Sequence, residues 1–243
     1  MKKMTLVYDW PTRIFHWLFA LLFIGAFTIA KTFDDDSAIY PYHMLAGLTL
    51  VVLIVLRMFW GLFGSYYAQF KNFDLNPVNL VQYLKDVFLK NGTRRLGHNP
   101  ASSWAAVVMM ILVLGLAITG YMITQKIAKE TVEEIHEIFS NLFVILVIFH
   151  IAGIIVHTLK HKDQIGLSMV HGFKQDVANQ KGIAKSHALV GVLFLFLTVG
   201  FGYYIYHNYD TTEQSLKFMG QSLQLGENQS VRSNQSDDER DED

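Results

Sequence analysis

Five nearly unbroken apolar runs dominate the 243-residue chain, at positions 14–30, 44–63, 102–125, 138–156 and 188–206. Each is close to the ~20 residues that a helix needs to cross a bilayer. The first, third, fourth and fifth contain no Asp, Glu, Lys or Arg, and the second contains only Arg57. Lipid offers no hydrogen-bond partner to an open backbone, so the pattern predicts five transmembrane helices. Pro11 suits the first turn of the first helix, and Asn99-Pro100 reads as a cap and first-turn proline opening the third span. Between spans two and three, positions 76–90 place Val78, Leu80, Val81, Leu84, Val87 and Phe88 on one helical face. That predicts a helix lying along the membrane surface. Beyond Asp210 the chain is rich in Ser, Gln, Asn and Asp, which predicts little order. There is no internal repeat.

Composition sharpens this picture. The chain is 51% hydrophobic and only 17% charged, against roughly 25% charged in soluble domains. Zero cysteines exclude disulfide frameworks, Fe–S clusters, thiolate zinc sites, catalytic cysteines and covalently attached c-type haem. A net charge of −1 without a uniformly basic surface excludes nucleic acid as the natural partner. Lys2 and Lys3 ahead of an apolar run imitate a signal peptide. The run exceeds the usual hydrophobic region of roughly 7–15 residues, so it reads as a retained first span.

Lys and Arg favour the cytoplasmic side. With the N-terminus inside, the inner segments hold Lys2, Lys3, Arg13, Arg57, Lys71, Lys85, Lys90, Arg94, Arg95, Lys160, Lys162, Lys174, Lys181 and Lys185. The two outer loops hold Lys31, Lys126 and Lys129 beside Asp34, Asp35, Asp36, Glu130, Glu133, Glu134 and Glu137. This bias predicts a multi-pass membrane protein with a cytoplasmic N-terminus and a C-terminus on the outer side, which is the periplasm in a Gram-negative bacterium. The C-terminal end includes an acidic run at 237–243.

Titratable side chains are expensive inside a membrane and are functional hypotheses by default. Four histidines fall within or at the rims of spans one, two and four: His16, His43, His136 and His150. His136 and His150 are 14 residues apart, which leaves a rotation of only about 40° after four turns. They share one helix face and lie about 21 Å apart along the axis. Depth sorts the four into two levels, His43 with His136 outside and His16 with His150 inside. Such pairs of imidazoles from different helices can clamp the two faces of a flat iron macrocycle. No Asp or Glu lies at membrane depth beside them, which disfavours zinc or di-iron carboxylate chemistry. His157, seven residues beyond His150 on the same face, is the rival ligand, although a solvated helix end beside Lys160, His161 and Lys162 is the simpler account. His157 and His161 also form an i,i+4 pair, but without a third donor. His98, His171, His187 and His207 read as loop or span-end residues that could serve a quinone or a proton, and more simply as surface. Arg13 and Arg57 lie near the inner level, where they could pair with haem propionates or equally serve the positive-inside bias. Gly47, Gly115 and Gly120 leave room for a ligand or for close helix packing.

Several stretches together resemble the bacterial cytochrome b561 and hydrogenase-type b cytochrome family. They are Tyr8-Asp9-Trp10-Pro11-Thr12-Arg13-Ile14-Phe15-His16-Trp17, His43-Met44-Leu45-Ala46-Gly47, Arg57-Met58-Phe59-Trp60-Gly61 and Gly97-His98-Asn99-Pro100-Ala101. Thr119-Gly120 and the paired histidines of span four complete the set. The resemblance covers roughly residues 5–172. It implies an all-α integral membrane protein, a four-helix transmembrane haem-binding bundle holding two b haems. His16 and His150 would ligate the inner haem, and His43 and His136 the outer one. The fifth transmembrane helix lies outside that pattern. The expected organisation is therefore a haem-binding domain at 1–172, a cytoplasmic linker and fifth helix at 173–209, and an acidic tail at 210–243.

The resemblance further implies electron transfer between the quinone/quinol pool and a periplasmic partner, either a c-type cytochrome or an oxidoreductase subunit. No catalytic acid or nucleophile is evident. One alternative is a self-contained superoxide:quinone oxidoreductase of the same fold, against which the acidic outer loops count. Another is a non-redox transporter or scaffold whose histidines bind one another.

Overall fold

The four prolines of the chain each open a helix, because a first-turn position needs no backbone N–H. Pro11 lies in the first turn of α1 (Trp10–Thr32), and Pro41 in that of α2 (Pro41–Phe63). Pro77 begins α3 (Pro77–Leu89), and Pro100 begins α4 (Pro100–Thr124). The Asn99 side chain caps α4 as expected, accepting from Ser102 N at 2.8 Å, and the Asp9 carboxylate caps α1 by accepting from Thr12 N. The remaining helices are α5 (Lys129–His161), the single turn α6 (Ser168–His171) and α7 (Ala188–His207). This computed structural model describes residues 3–89, 95–162 and 165–225. Lys2, Lys90, Arg94 and the acidic run at 237–243 lie outside the described residues.

Among the described residues, α1, α2, α4, α5 and α7 are long and apolar enough to cross a membrane, and the chain is a multi-pass membrane protein. The side on which α1 begins is termed proximal here, and the opposite side distal. α1 packs along α2, α4 packs along α5, and α2 joins the two pairs through α4. α1 and α5 face each other through side chains, Phe19 and Phe23 of α1 meeting Phe143 of α5. α7 packs on the backs of α1 and α2 as a fifth helix outside the four-helix bundle. α3 leaves Val78, Val81 and Leu84 exposed along one face, as its surface-lying pattern predicts.

The middle of the bundle is aromatic. Phe143 of α5 is 1% exposed; its ring centre lies 4.1 Å from that of Phe23 and 5.8 Å from that of Phe19, both on α1. Ile54, Leu112 and Val113 complete this core from α2 and α4.

Two small sheets close the ends. Proximally, β1 (Met4–Leu6) pairs antiparallel with β2 (Phe173–Gln175). The Gly172 carbonyl receives the amides of Val7 and Tyr8 at 2.9 and 3.0 Å. Gly172 has φ +88°, and a side chain there would meet the Tyr8 carbonyl at 2.6 Å, so only glycine fits the junction. Arg13 Nη2 donates to the Val170 carbonyl and Trp17 Nε1 to Met169 O, latching this segment to α1. Distally, β3 (Tyr209–Asp210), β4 (Ser215–Phe218) and β5 (Gln221–Gln224) form an antiparallel sheet in that order. Its Leu216, Leu223 and Leu225 pack on Leu45 of α2 and Ile205 of α7.

The distal sheet corrects the expectation of little order beyond Asp210: the chain is folded as far as Leu225. Alternating Leu216 and Phe218 carry the strand signal. The turn between the strands uses Met219-Gly220, both with positive φ, rather than the Asn-Gly or Asp-Gly pair that usually marks such hairpins.

Candidate functional site

The gap between α1–α2 and α4–α5 brings His43 and His136 together at one height. At the distal height, His43 begins α2 and His136 lies two turns into α5, with ring centres 6.2 Å apart and planes inclined by 69°. His43 Nδ1 donates to the Ala26 carbonyl of α1 at 2.8 Å. A carbonyl can only accept, so the proton is on Nδ1 and the lone pair is on Nε2. On the other ring, His136 Nδ1 lies 2.8 Å from Thr119 Oγ1 of α4. The Thr119 hydroxyl proton is directed to the Gly115 carbonyl at 2.8 Å, leaving its oxygen to accept from His136 Nδ1–H. Both rings therefore offer Nε2 as the free base, the tautomer that a metal ligand needs. Two imidazole–metal bonds of about 2 Å, plus half of each ring, call for centres roughly 6 Å apart.

Space accompanies the pair. Gly47 lies one turn along α2 from His43 on the same face, and a Cβ there would have nothing within 4 Å. At Gly120 a Cβ would meet only the His136 ring, at 3.5 Å. Gly115 serves close helix packing instead, with Phe139 of α5 pressed against it. Tyr40 stacks on His43 at 5.6 Å, and Lys31 bridges to Glu137 at 2.9 Å across the α1 and α5 ends.

At the proximal height, His16 lies about two turns into α1, and His150 lies 14 residues beyond His136 on α5. His16 Nδ1 is buried without a hydrogen-bond partner. Arg57 is 14 residues beyond His43 on α2, so it occupies the same helix face at this second height. It is 5% exposed and held between the rings of Phe15 and Phe70. Its Nη2 donates to the Ala68 carbonyl at 3.1 Å, whereas its Nη1 is buried and unpartnered. Arg13 Nε is likewise buried and unpartnered, with the guanidinium 4.7 Å above the Trp10 ring. Asp9 is fully buried beside this group and accepts from Trp60 Nε1 at 2.9 Å.

The other histidines stay out of both pairs. The rings of His157 and His161 lie 4.5 Å apart, tilted by 44°, on the proximal end of α5. His171 Nδ1 accepts from Phe173 N, His187 meets the edge of Trp60, and His207 stacks on Tyr203. His98 departs from the surface reading. It sits 4.7 Å from the Phe73 ring and 5.8 Å from that of Tyr8. Burial first, then the charges of Lys174 and Arg57 and the His150 ring, hold its pKa down to about 3.

Among the described residues, no three His, Cys, Asp or Glu side chains gather to hold a bare metal ion. Opposed pairs without a third protein donor suit a metal that brings its own equatorial ligands. The bundle thus has the build of a multi-pass membrane protein with paired imidazoles held between its helices. The profile of the prokaryotic cytochrome b561 family matches residues 7–172, and the chain belongs to that family.

The chain is 24% identical over 138 residues to the probable Ni/Fe-hydrogenase 1 B-type cytochrome subunit of Escherichia coli strain K12, covering 47% of this chain and 58% of that protein. It is 27% identical over 147 residues to the probable Ni/Fe-hydrogenase B-type cytochrome subunit of Rhizobium leguminosarum bv. viciae, covering 49% and 59% respectively. The chain thus spans less than two thirds of the length of these relatives. No solved structure matches it.

The family implies haem b, and the residues present fit it. They supply free Nε2 lone pairs in an apolar gap, unpartnered guanidinium nitrogens suited to propionates, and a glycine cradle beside His43. Three features were not read from the sequence. The Thr119 hydroxyl contact depends on the α4–α5 register, and the enclosure of His98 depends on how the proximal loops fold back. Phe143 did leave a signal, standing seven residues from both His136 and His150.

Proposed function

We propose that the protein is a di-haem b-type cytochrome that carries electrons across the bacterial inner membrane. One end exchanges with the quinone/quinol pool, and the other with a periplasmic c-type cytochrome or an oxidoreductase subunit. The observation that carries this reading is the distal pair: two imidazoles from different helices, about one bis-imidazole span apart, each tied back through Nδ1. The four-turn repeat from His136 to His150 extends it to a second height about 21 Å along the axis.

Bound haem supplies one-electron redox chemistry. His43 and His136 would hold the distal group, and His16 and His150 the proximal one. Arg57 and Arg13 would meet propionates at the proximal level, on the side rich in Lys and Arg, which the positive-inside bias assigns to the cytoplasm. Phe143, Phe19 and Phe23 fill the space between the two heights and keep water out of it. The names of the hydrogenase cytochrome-subunit relatives support a membrane oxidoreductase as the partner.

The test uses the full chain in sealed vesicles, with ferricyanide trapped inside and a short-chain quinol added outside. Reduction of the trapped ferricyanide at a rate proportional to incorporated cytochrome is expected. Absence of b-type bands in the reduced-minus-oxidised spectrum, or bands without transmembrane reduction in either orientation, overturns the reading.

A further inference from the structure

The two distal histidines are anchored by different chemistry. His43 Nδ1–H is held by a main-chain carbonyl, that of Ala26, which no side-chain substitution removes. His136 Nδ1–H is held by a side chain. Thr119 is 7% exposed and bonds back within α4, its hydroxyl directed to Gly115 O at 2.8 Å with a longer contact to Leu116 O at 3.2 Å. That back-bond spends the hydroxyl proton inside the helix. The oxygen lone pair then faces α5, where His136 Nδ1 lies 2.8 Å away. Gly120, the next residue, lies flat against the same ring. The ring is thereby fixed in rotation and in tautomer.

We propose that Thr119 is a positioning residue of the distal haem site. Its hydroxyl holds the His136 imidazole with Nε2 presented as a lone pair, and it sets the redox potential of the group bound there. The inference rests on His43 and His136 being the distal ligands. An acceptor on Nδ1–H raises the basicity of a ligating imidazole, and losing such a partner typically weakens metal binding 10–100-fold. A more basic imidazole favours the oxidised form, so removing the acceptor raises the potential. For a one-electron couple, a tenfold change in the relative affinity for the two oxidation states reads as about 59 mV.

The experiment is a spectroelectrochemical titration of the purified full chain, with low-temperature EPR of the oxidised form. It compares wild type, Thr119→Val, Thr119→Ala and Thr119→Ser. His136→Ala identifies the distal component by its disappearance. Thr119→Val should raise the distal midpoint by about 59 mV for each tenfold change, alter the distal EPR signal and leave the proximal component unmoved. Thr119→Ser, which keeps the hydroxyl, should restore wild-type values. Thr119→Ala reports the same shift should the valine variant fail to fold. An unmoved distal midpoint in the folded valine or alanine variant, an equal shift of both components, or a serine variant that behaves like valine overturns the proposal. If His136→Ala itself retains two haems, the distal-ligand reading falls rather than the role of Thr119.

Discussion

Replacing Phe143 by Ala should destabilise the protein without removing any ligand to either site. Phe143 is 1% exposed and packs on Phe23 at 4.1 Å and on Phe19 at 5.8 Å. In lipid the water-to-apolar transfer term largely vanishes, because the surroundings are as apolar as the core, but the packing term remains. Truncation opens about 100 Å³, which at ~24 cal/mol per Å³ costs about 2.4 kcal/mol. Loss of the close aromatic contact brings the total to about 3 kcal/mol. For a chain of this size that corresponds to a fall in Tm of roughly 6–12 °C. Phe149→Ala, six residues along the same helix and 68% exposed, changes composition equally and should stay within about 0.5 kcal/mol of wild type. The assay is a thermal ramp of purified protein in detergent, followed by loss of the b-type absorption bands. Both spectral components should disappear together in the Phe143 variant, since the residue lies midway between the two heights. Equal shifts for the two variants, or loss of one component alone in the Phe143 variant, would refute a packed aromatic core shared by both levels.

Other expectations follow from the same contacts. Asp9→Ala removes the cap on Thr12 N and the acceptor of Trp60 Nε1; it should cost about 2–4 kcal/mol, with Trp60→Phe recovering part of the difference, read as Tm in detergent. Gly115→Ala puts a Cβ 2.5 Å from Phe139 and should cost about 1–3 kcal/mol. Gly120→Ala meets only ordinary contact at 3.5 Å and should be close to neutral in the same assay. His98 is enclosed with its pKa pushed down to about 3, while the unfolded chain titrates near 6.5. Below the unfolded value the unfolded state binds a proton that the folded state does not. Stability therefore falls as pH drops from 6.5 towards 3, by no more than about 2 kcal/mol at pH 5, because part of the ring surface stays accessible. His98→Gln should flatten that acid limb of Tm against pH, whereas an unchanged limb assigns it to other groups.

Much of this architecture was legible in the residues because membrane helices declare themselves through length and charge exclusion. The helix starts at Pro11 and at Asn99-Pro100 were readable for a local reason: a cap is decided within one turn. The approach of His43 to His136 was readable because helical periodicity fixes both face and height. What needed the structure depends on how one element meets another. Thr119 is an unremarkable threonine until α4 and α5 are set in register. His98 looks like a loop residue until Tyr8 and Phe73 close over it, and Arg57 looks like a positive-inside marker until its Nη1 is found buried and unpartnered. The distal sheet hid in a polar stretch because its apolar Leu216 and Leu223 pack on residues outside it, Leu45 of α2 and Ile205 of α7 among them.

Haem content per chain, measured by pyridine haemochrome on purified wild type, His136→Ala and His150→Ala, tests the central claim most directly. Two b haems in the wild type and one in each variant, with a different spectral component missing in each, is the result the two-level bundle predicts. A single haem in the wild type, or two haems surviving in either variant, contradicts it.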